Sequence, residues 1–129
     1  MKGHETEYKQ SFDNMMKMLK LFHKNGIPFV PGTDDFPGFA LQRELELYSI
    51  AGVPNAEVLK KATLTSAQVA GKDADYGSIE VGKKANLILV DGDPVKNIGD
   101  IRKVEMTMKG GNMYDAKALY KSYGFGFWK

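Results

Sequence analysis

Ile27-Pro28-Phe29-Val30-Pro31-Gly32-Thr33-Asp34-Asp35 is the stretch on which the fold turns. Ile27–Val30 reads as a short buried strand, although Pro28 cannot donate to a sheet ladder. Pro31-Gly32-Thr33-Asp34-Asp35 then breaks it into a loop running through Phe36-Pro37-Gly38. Upstream, Phe12, Met15, Met16, Leu19 and Phe22 recur at helical spacing over Ser11 to Lys24, with Lys17, Lys20 and Lys24 elsewhere on the helix. Asn25-Gly26 is a stop, because both residues tolerate the left-handed conformation at a helix end. Downstream, Leu41, Leu45 and Tyr48 mark a helix over Leu41 to Ala51 that Gly52 closes. Pro54 opens a second through Ala62, and Thr65 caps a third, Ser66 to Ala70, ended by Gly71. Helix–strand–helix is the rhythm of a βα barrel or a doubly wound sheet. One such unit cannot bury its own faces.

After Gly71 the period changes. Tyr76 to Val81, Asn86 to Val90 and Val104 to Lys109 read as strands separated by Gly82-Lys83, by Asp91-Gly92-Asp93-Pro94 and beyond Lys109 by Gly110-Gly111-Asn112. Leu87-Ile88-Leu89-Val90 is continuous, which predicts burial on both faces. Val104, Met106 and Met108 alternate with Glu105, Thr107 and Lys109, which predicts one buried face. Asp115 caps a last helix over Ala116 to Lys121, and an aromatic, glycine-interrupted tail follows. A few strands with one apolar face need a second layer, and the helices ahead of them supply only part of one.

Composition narrows the classes. With 129 residues the chain cannot hold a whole (β/α)₈ barrel, which takes about 250. Charged residues at 26% and hydrophobic ones at 43% fit an ordinary folded protein and argue against general disorder. A formal net charge of +2, with opposite charges interspersed, gives no field for nucleic acid or anionic lipid. Without cysteine there are no disulfides, thiolate metal sites or cysteine nucleophiles. No apolar run approaches the ~20 residues of a membrane span, and Met1-Lys2-Gly3-His4-Glu5 opens no secretory signal. That favours the cytoplasm, with a signal lost from a truncated start still open.

Gly77-Ser-Ile-Glu-Val-Gly-Lys-Lys-Ala-Asn-Leu-Ile-Leu-Val-Asp-Gly-Asp-Pro94, followed by Val104-Glu-Met-Thr-Met-Lys-Gly-Gly-Asn-Met-Tyr114, resembles the C-terminal signature of the amidohydrolase superfamily. Val30-Pro-Gly-Thr-Asp34 resembles the end of that family's eighth barrel strand. Leu41-Gln-Arg-Glu-Leu-Glu-Leu47, with Ala51-Gly-Val-Pro-Asn-Ala-Glu57 and Ala62-Thr63, resembles the helices after it. The imidazolonepropionase-like and Xaa-Pro dipeptidase-like branch is the most similar, and the resemblance runs from about residue 8 to residue 115. It implies an α/β chain: the last strand and helices of a TIM-type (β/α)₈ barrel over 1–71, the C-terminal strands of a small composite β-sandwich over 72–115, and a tail over 116–129.

The resemblance further implies a divalent metal, zinc foremost, that activates a water for hydrolysis of an amide, cyclic amide or Xaa-Pro peptide bond. Asp34 matches the family's strand-eight aspartate, which binds metal and relays the water's proton; barrel enzymes mount such groups at the C-terminal ends of strands. The residues alone leave a second reading open, an ordinary turn aspartate capping a helix. Asp35 reads as a solvated loop residue or cap. The family's His-x-His does not occur, and His4 and His23 match none of its ligand positions. One carboxylate cannot hold zinc, which wants three or four converging donors. The chain alone is therefore expected to bind no metal and to be inactive, with the other ligands on a missing N-terminal part or a partner chain. A non-catalytic remnant or subunit is the alternative. Self-association through unpaired strands follows from either.

Departures from the family pattern are Asn86 for an aspartate, Gln42 where histidine is frequent, and Val53 for a capping Thr or Ser. Met15, Met16 and Met18 read as packing residues rather than a soft-metal groove. Gly82 and Gly110-Gly111 lack the strand-to-helix context of a nucleotide loop and read as hairpin turns. Phe125, Phe127, Trp128 and the neighbouring lysines read as packing against a parent body or subunit rather than stacking on nucleic acid.

Overall fold

The computed structural model describes residues 3–34 and 40–124. Helix α1 spans Glu5–Lys24, longer at its start than the apolar spacing indicates. α2 spans Ala40–Ile50 and α3 Asn55–Lys60. α3 continues through a π-helical turn, Lys61–Thr65, into α4, Ser66–Val69. β1 (Leu87–Val90), β2 (Val104–Lys109) and β3 (Asn112–Asp115) form an antiparallel sheet in the order β1-β2-β3, and α5 covers Ala116–Ser122. A 3₁₀ turn, Ile98–Arg102, links β1 to β2.

Three helical runs end in the same way. At Gly26, Gly52 and Gly71 φ is positive, and the following amide (Ile27, Val53, Lys72) reaches back five residues to Phe22, Tyr48 and Ala67. This six-to-one bond satisfies carbonyls that the helix end would otherwise leave bare. Asp115 caps α5 as expected, its Oδ1 accepting from the Ala118 amide at 2.7 Å. Val53 carries no capping hydroxyl because its side chain belongs to the interior, at 2% exposure.

The core is small. Leu45, Tyr48, Val53, Val58 and Ile98 form it, with Leu19, Phe29, Leu59, Ala62 and Ile101 packed against it. It therefore sits among α1, α2, α3 and the 3₁₀ turn, and no strand residue is buried. In β2–β3 the two-residue loop Gly110-Gly111 has φ +57 and +84, which fits a type I′ turn. Asn86 accepts the Gly110 amide at 2.9 Å, so this departure from the family pattern pins the hairpin's turn.

Four expectations are corrected. Ile27–Val30 is not a strand: the described residues offer it no partner for a ladder, and residues 27–34 run without regular structure. Tyr76–Val81 is not a strand either. Gly77 at φ +94 and Gly82 at φ +95 fold it into turns, and Lys83 donates to the Glu80 carbonyl. Thr65 caps nothing, because its φ −65 and ψ −40 continue the helix; the Ser66 hydroxyl instead donates to the Lys61 carbonyl. Leu87-Ile88-Leu89 is exposed rather than doubly buried, since β1 has one neighbouring strand and an open cavity of about 620 Å³ separates the sheet from α4. No helix among the described residues is long and apolar enough to cross a membrane.

Candidate active site

Asp34 ends an extended segment that leaves α1 at Gly26 and crosses the face of α2. Three of its residues, Phe29, Val30 and Gly32, have contacts that tie it to the helices. Phe29 packs edge-on against Tyr48, with ring centroids 5.1 Å apart at 81°, and Lys61 Nζ lies 4.1 Å from the centre of the Phe29 ring. Both geometries suit the quadrupole of an aromatic ring. At the next residue, the Val30 carbonyl lies 3.2 Å from the Tyr48 hydroxyl. The Gly32 amide donates to both oxygens of Glu44, at 3.2 and 3.1 Å. Tyr48 in turn donates to Glu44 Oε1 at 2.7 Å. Burial first, then the hydrogen bond and charge of Glu44, push the Tyr48 phenol well above its ordinary value of 10.

Asp34 itself is exposed and has φ +47, the one positive φ at a non-glycine among the described residues. A left-handed backbone costs an ordinary residue roughly 1–2 kcal/mol, less for aspartate, and such positions gather at functional sites. Asp35 lies outside the described residues, as do the Phe36-Pro37-Gly38 loop and the aromatic tail from Phe125.

The two histidines are engaged elsewhere. His4 flanks α1 and pairs with Glu7, while His23, late in α1, lies 3.6 Å from Glu57 of α3. No group of three His, Cys, Asp or Glu among the described residues is placed to hold a metal ion. The donors among those residues thus do not fit a metal by themselves: Asp34 is a single carboxylate where three or four converging donors are needed. Gln42 Oε1 is buried with no hydrogen-bond partner among the described residues.

Sequence reasoning named Asp34 as a candidate but not Glu44 and Tyr48. Their signal was present: they stand four apart, on one face of α2, with Tyr48 in the apolar stripe and Glu44 directly beside it.

A profile of the amidohydrolase family matches residues 10–114, from α1 through the Asp34 loop to β3. The chain belongs to the amidohydrolase family. Among amidohydrolases it is 38% identical over 72 residues to the imidazolonepropionase of Syntrophobacter fumaroxidans, covering 52% of this chain and 17% of the relative. It is 46% identical over 46 residues to the 5-methylthioadenosine/S-adenosylhomocysteine deaminase of Thermoanaerobacter pseudethanolicus, covering 36% of this chain and 11% of that protein. A solved Xaa-Pro dipeptidase with methionine bound in its active site superposes with a TM-score of 0.74 at 26% identity, over 78% of this chain and 25% of that one. A putative prolidase from Bifidobacterium longum does so with a TM-score of 0.72 at 32% identity, over 78% and 26%. The chain spans only 9% to 22% of the length of the curated relatives it matches.

Proposed function

We propose that this chain is the C-terminal part of a metal-dependent amidohydrolase that hydrolyses a C–N bond in an amide, a cyclic amide or an Xaa-Pro peptide. Residues 1–71 would be the last βα portion of its TIM-type barrel and 72–115 the C-terminal strands of a composite β-sandwich. The observation that carries the reading is Asp34: an exposed carboxylate on a left-handed turn, at the end of a segment clamped to α2. The ion, zinc by preference, and the water it activates belong to the whole protein, with Asp34 supplying one carboxylate and residues outside this chain the other donors. By itself the chain holds no metal and does not hydrolyse.

The surface supports a missing body. The accessible area is 9632 Å² for 14.3 kDa, against about 6,800 Å² for a compact chain of that mass. Ile79 (86%), Ile88 (51%) and Leu89 (61%) lie open on the sheet side. Their natural cover is the preceding part of the same protein or a partner chain, and in its absence self-association.

The test is made on the full-length protein that contains these residues. Loaded with zinc, it is expected to hydrolyse members of a panel of Xaa-Pro dipeptides and cyclic amides, and Asp34→Asn is expected to lower kcat by about 10²–10⁴. A full-length protein that binds zinc and hydrolyses such bonds equally well as Asp34→Asn would refute the assignment. One that binds no metal would instead indicate a non-catalytic member.

A further inference from the structure

We infer that Glu44 is a positioning residue for Asp34, acting through the Gly32 amide, with Tyr48 holding the Glu44 carboxylate in place. The inference deepens the reading of Asp34 given above and, for its catalytic consequence, rests on it.

The geometry is a short relay. α2 is fixed in the core by Leu45 and Tyr48, at 3% and 5% exposure. From that anchored helix the Tyr48 hydroxyl donates to Glu44 Oε1 at 2.7 Å, and both Glu44 oxygens accept the Gly32 amide. Gly32 stands two residues before Asp34, so the clamp fixes the chain at the entry to the turn in which Asp34 takes φ +47. A free loop would leave that conformation, because nothing intrinsic to aspartate favours it over the right-handed basin. A hydrogen bond from a backbone amide to a carboxylate restrains a loop, and here the one N–H is shared between two oxygens at 3.2 and 3.1 Å. Among the described residues no other hydrogen bond holds residues 31–34, and Gly32 has open space where a Cβ would stand. The Glu44 hydrogen bond therefore restrains the turn alongside the partial burial of Pro31 and Thr33.

Tyr48 has one hydroxyl proton and two acceptors near it, Glu44 Oε1 at 2.7 Å and the Val30 carbonyl at 3.2 Å. The shorter contact goes to the charged acceptor, so the proton is committed to Glu44. That hydrogen bond holds the carboxylate where both its oxygens face the Gly32 amide. A side chain in position 44 that accepts a hydrogen bond keeps the relay, and one that does not breaks it.

The experiment is NMR on the isotopically labelled full chain, with Glu44→Ala and Glu44→Gln. In E44A the Gly32 amide is expected to exchange about tenfold or more faster, the loss of a hydrogen bond to a charged group. The strong intraresidue amide–Hα cross-peak that marks positive φ at Asp34 is expected to weaken with it. Core amides such as Val58 should keep their protection, and E44Q should restore both Gly32 and Asp34. Unchanged Gly32 and Asp34 signals in E44A overturn the inference, as does equal deprotection of the core in both variants. Should E44A fail to fold, the unsubstituted chain decides: the Gly32 amide shift must follow the titration of the Glu44 carboxylate carbon, and a flat Gly32 shift overturns it. In the full-length protein E44A is expected to lower kcat while leaving KM nearly unchanged, with E44Q rescuing. A turn freed in E44A with hydrolysis untouched would sink the role given to Asp34 and leave the clamp standing.

Discussion

Glu46→Gln tests how the helical half is tied to the sheet half. Glu46 lies on α2 with its side chain only 17% exposed, and it pairs with Arg102 at the end of the 3₁₀ turn, 56 residues away, and with Arg43 at 3.0 Å. The Arg102 hydrogen bond, opposed by burial and aided by Arg43, holds the Glu46 carboxyl below its ordinary 4.5. A hydrogen bond to a charged group contributes about 1.5–3 kcal/mol, and the half-exposed Arg102 puts this one at the low end. The Arg43 pair, within one helix turn and 56% exposed, adds about 0.3 kcal/mol. The substituted amide keeps one acceptor for Arg102, so the net loss at pH 7 is about 1–1.5 kcal/mol. Because the folded carboxyl is depressed, its stabilisation is present above about 4.5 and is lost as pH falls through the folded value. Urea unfolding of both proteins at pH 7 and in strong acid is the assay. The difference between them should shrink towards zero in acid, and a double-mutant cycle with Arg102→Met should recover about 1 kcal/mol of coupling at pH 7. An equal difference at both pH values would refute the electrostatic account of this tie.

Three further outcomes follow from the same contacts. Tyr48, held protonated by burial and by Glu44, makes stability fall as pH rises above the unfolded value of 10; in Tyr48→Phe that alkaline limb should flatten in pH-dependent unfolding. Gly77→Ala places a Cβ 2.8 Å from both Ala67 Cβ and Leu64 Cα at φ +94, and should cost roughly 2–5 kcal/mol by urea denaturation. Leu89→Lys, on a strand side chain 61% exposed, should change stability by less than about 0.5 kcal/mol yet lower the sedimentation coefficient of any self-associated form.

Most helices and their glycine-marked C-terminal ends were legible because each carried its own signal, whereas the start of α1 and the unbroken run from α3 to α4 were not. The apolar spacing of Leu41, Leu45 and Tyr48, and the glycines at 26, 52 and 71, act within a few residues of themselves. Asp115 as a cap and Val104–Lys109 as a strand were legible for the same reason. Strands fared worse where pairing decides. Ile27–Val30 and Tyr76–Val81 have strand-like composition, but a strand exists only with a neighbour, and no local pattern shows whether one is there. Leu87-Ile88-Leu89 misled on burial because a continuous apolar run reports what the residues are suited to cover, not what covers them. Asn112–Asp115 was missed as a strand since it is four residues long and polar at both ends; the Gly110-Gly111 turn was the available sign.

At the candidate site the same division holds, and it explains why Asp34 could be proposed from the sequence while Glu44 could not. Asp34 is proposed on the short motif Gly32-Thr33-Asp34, in which a carboxylate and a backbone turn lie side by side. Glu44 acts across 12 residues, and its partner is a backbone amide that carries no identity in the sequence. Helical periodicity also hides it, since one turn ahead of a core tyrosine an acidic residue looks like the start of the solvated face. What marks it out is a buried hydroxyl that needs an acceptor: Tyr48 sits at 5% exposure, and a phenol so placed demands a partner within reach. Residue i−4 on the same helix is the nearest candidate, and here it is a carboxylate. That carboxylate, bound on one side by the phenol, has acceptor capacity left over and takes the first amide that passes. The passing amide is Gly32, and on the inference drawn above it restrains the aspartate two residues on.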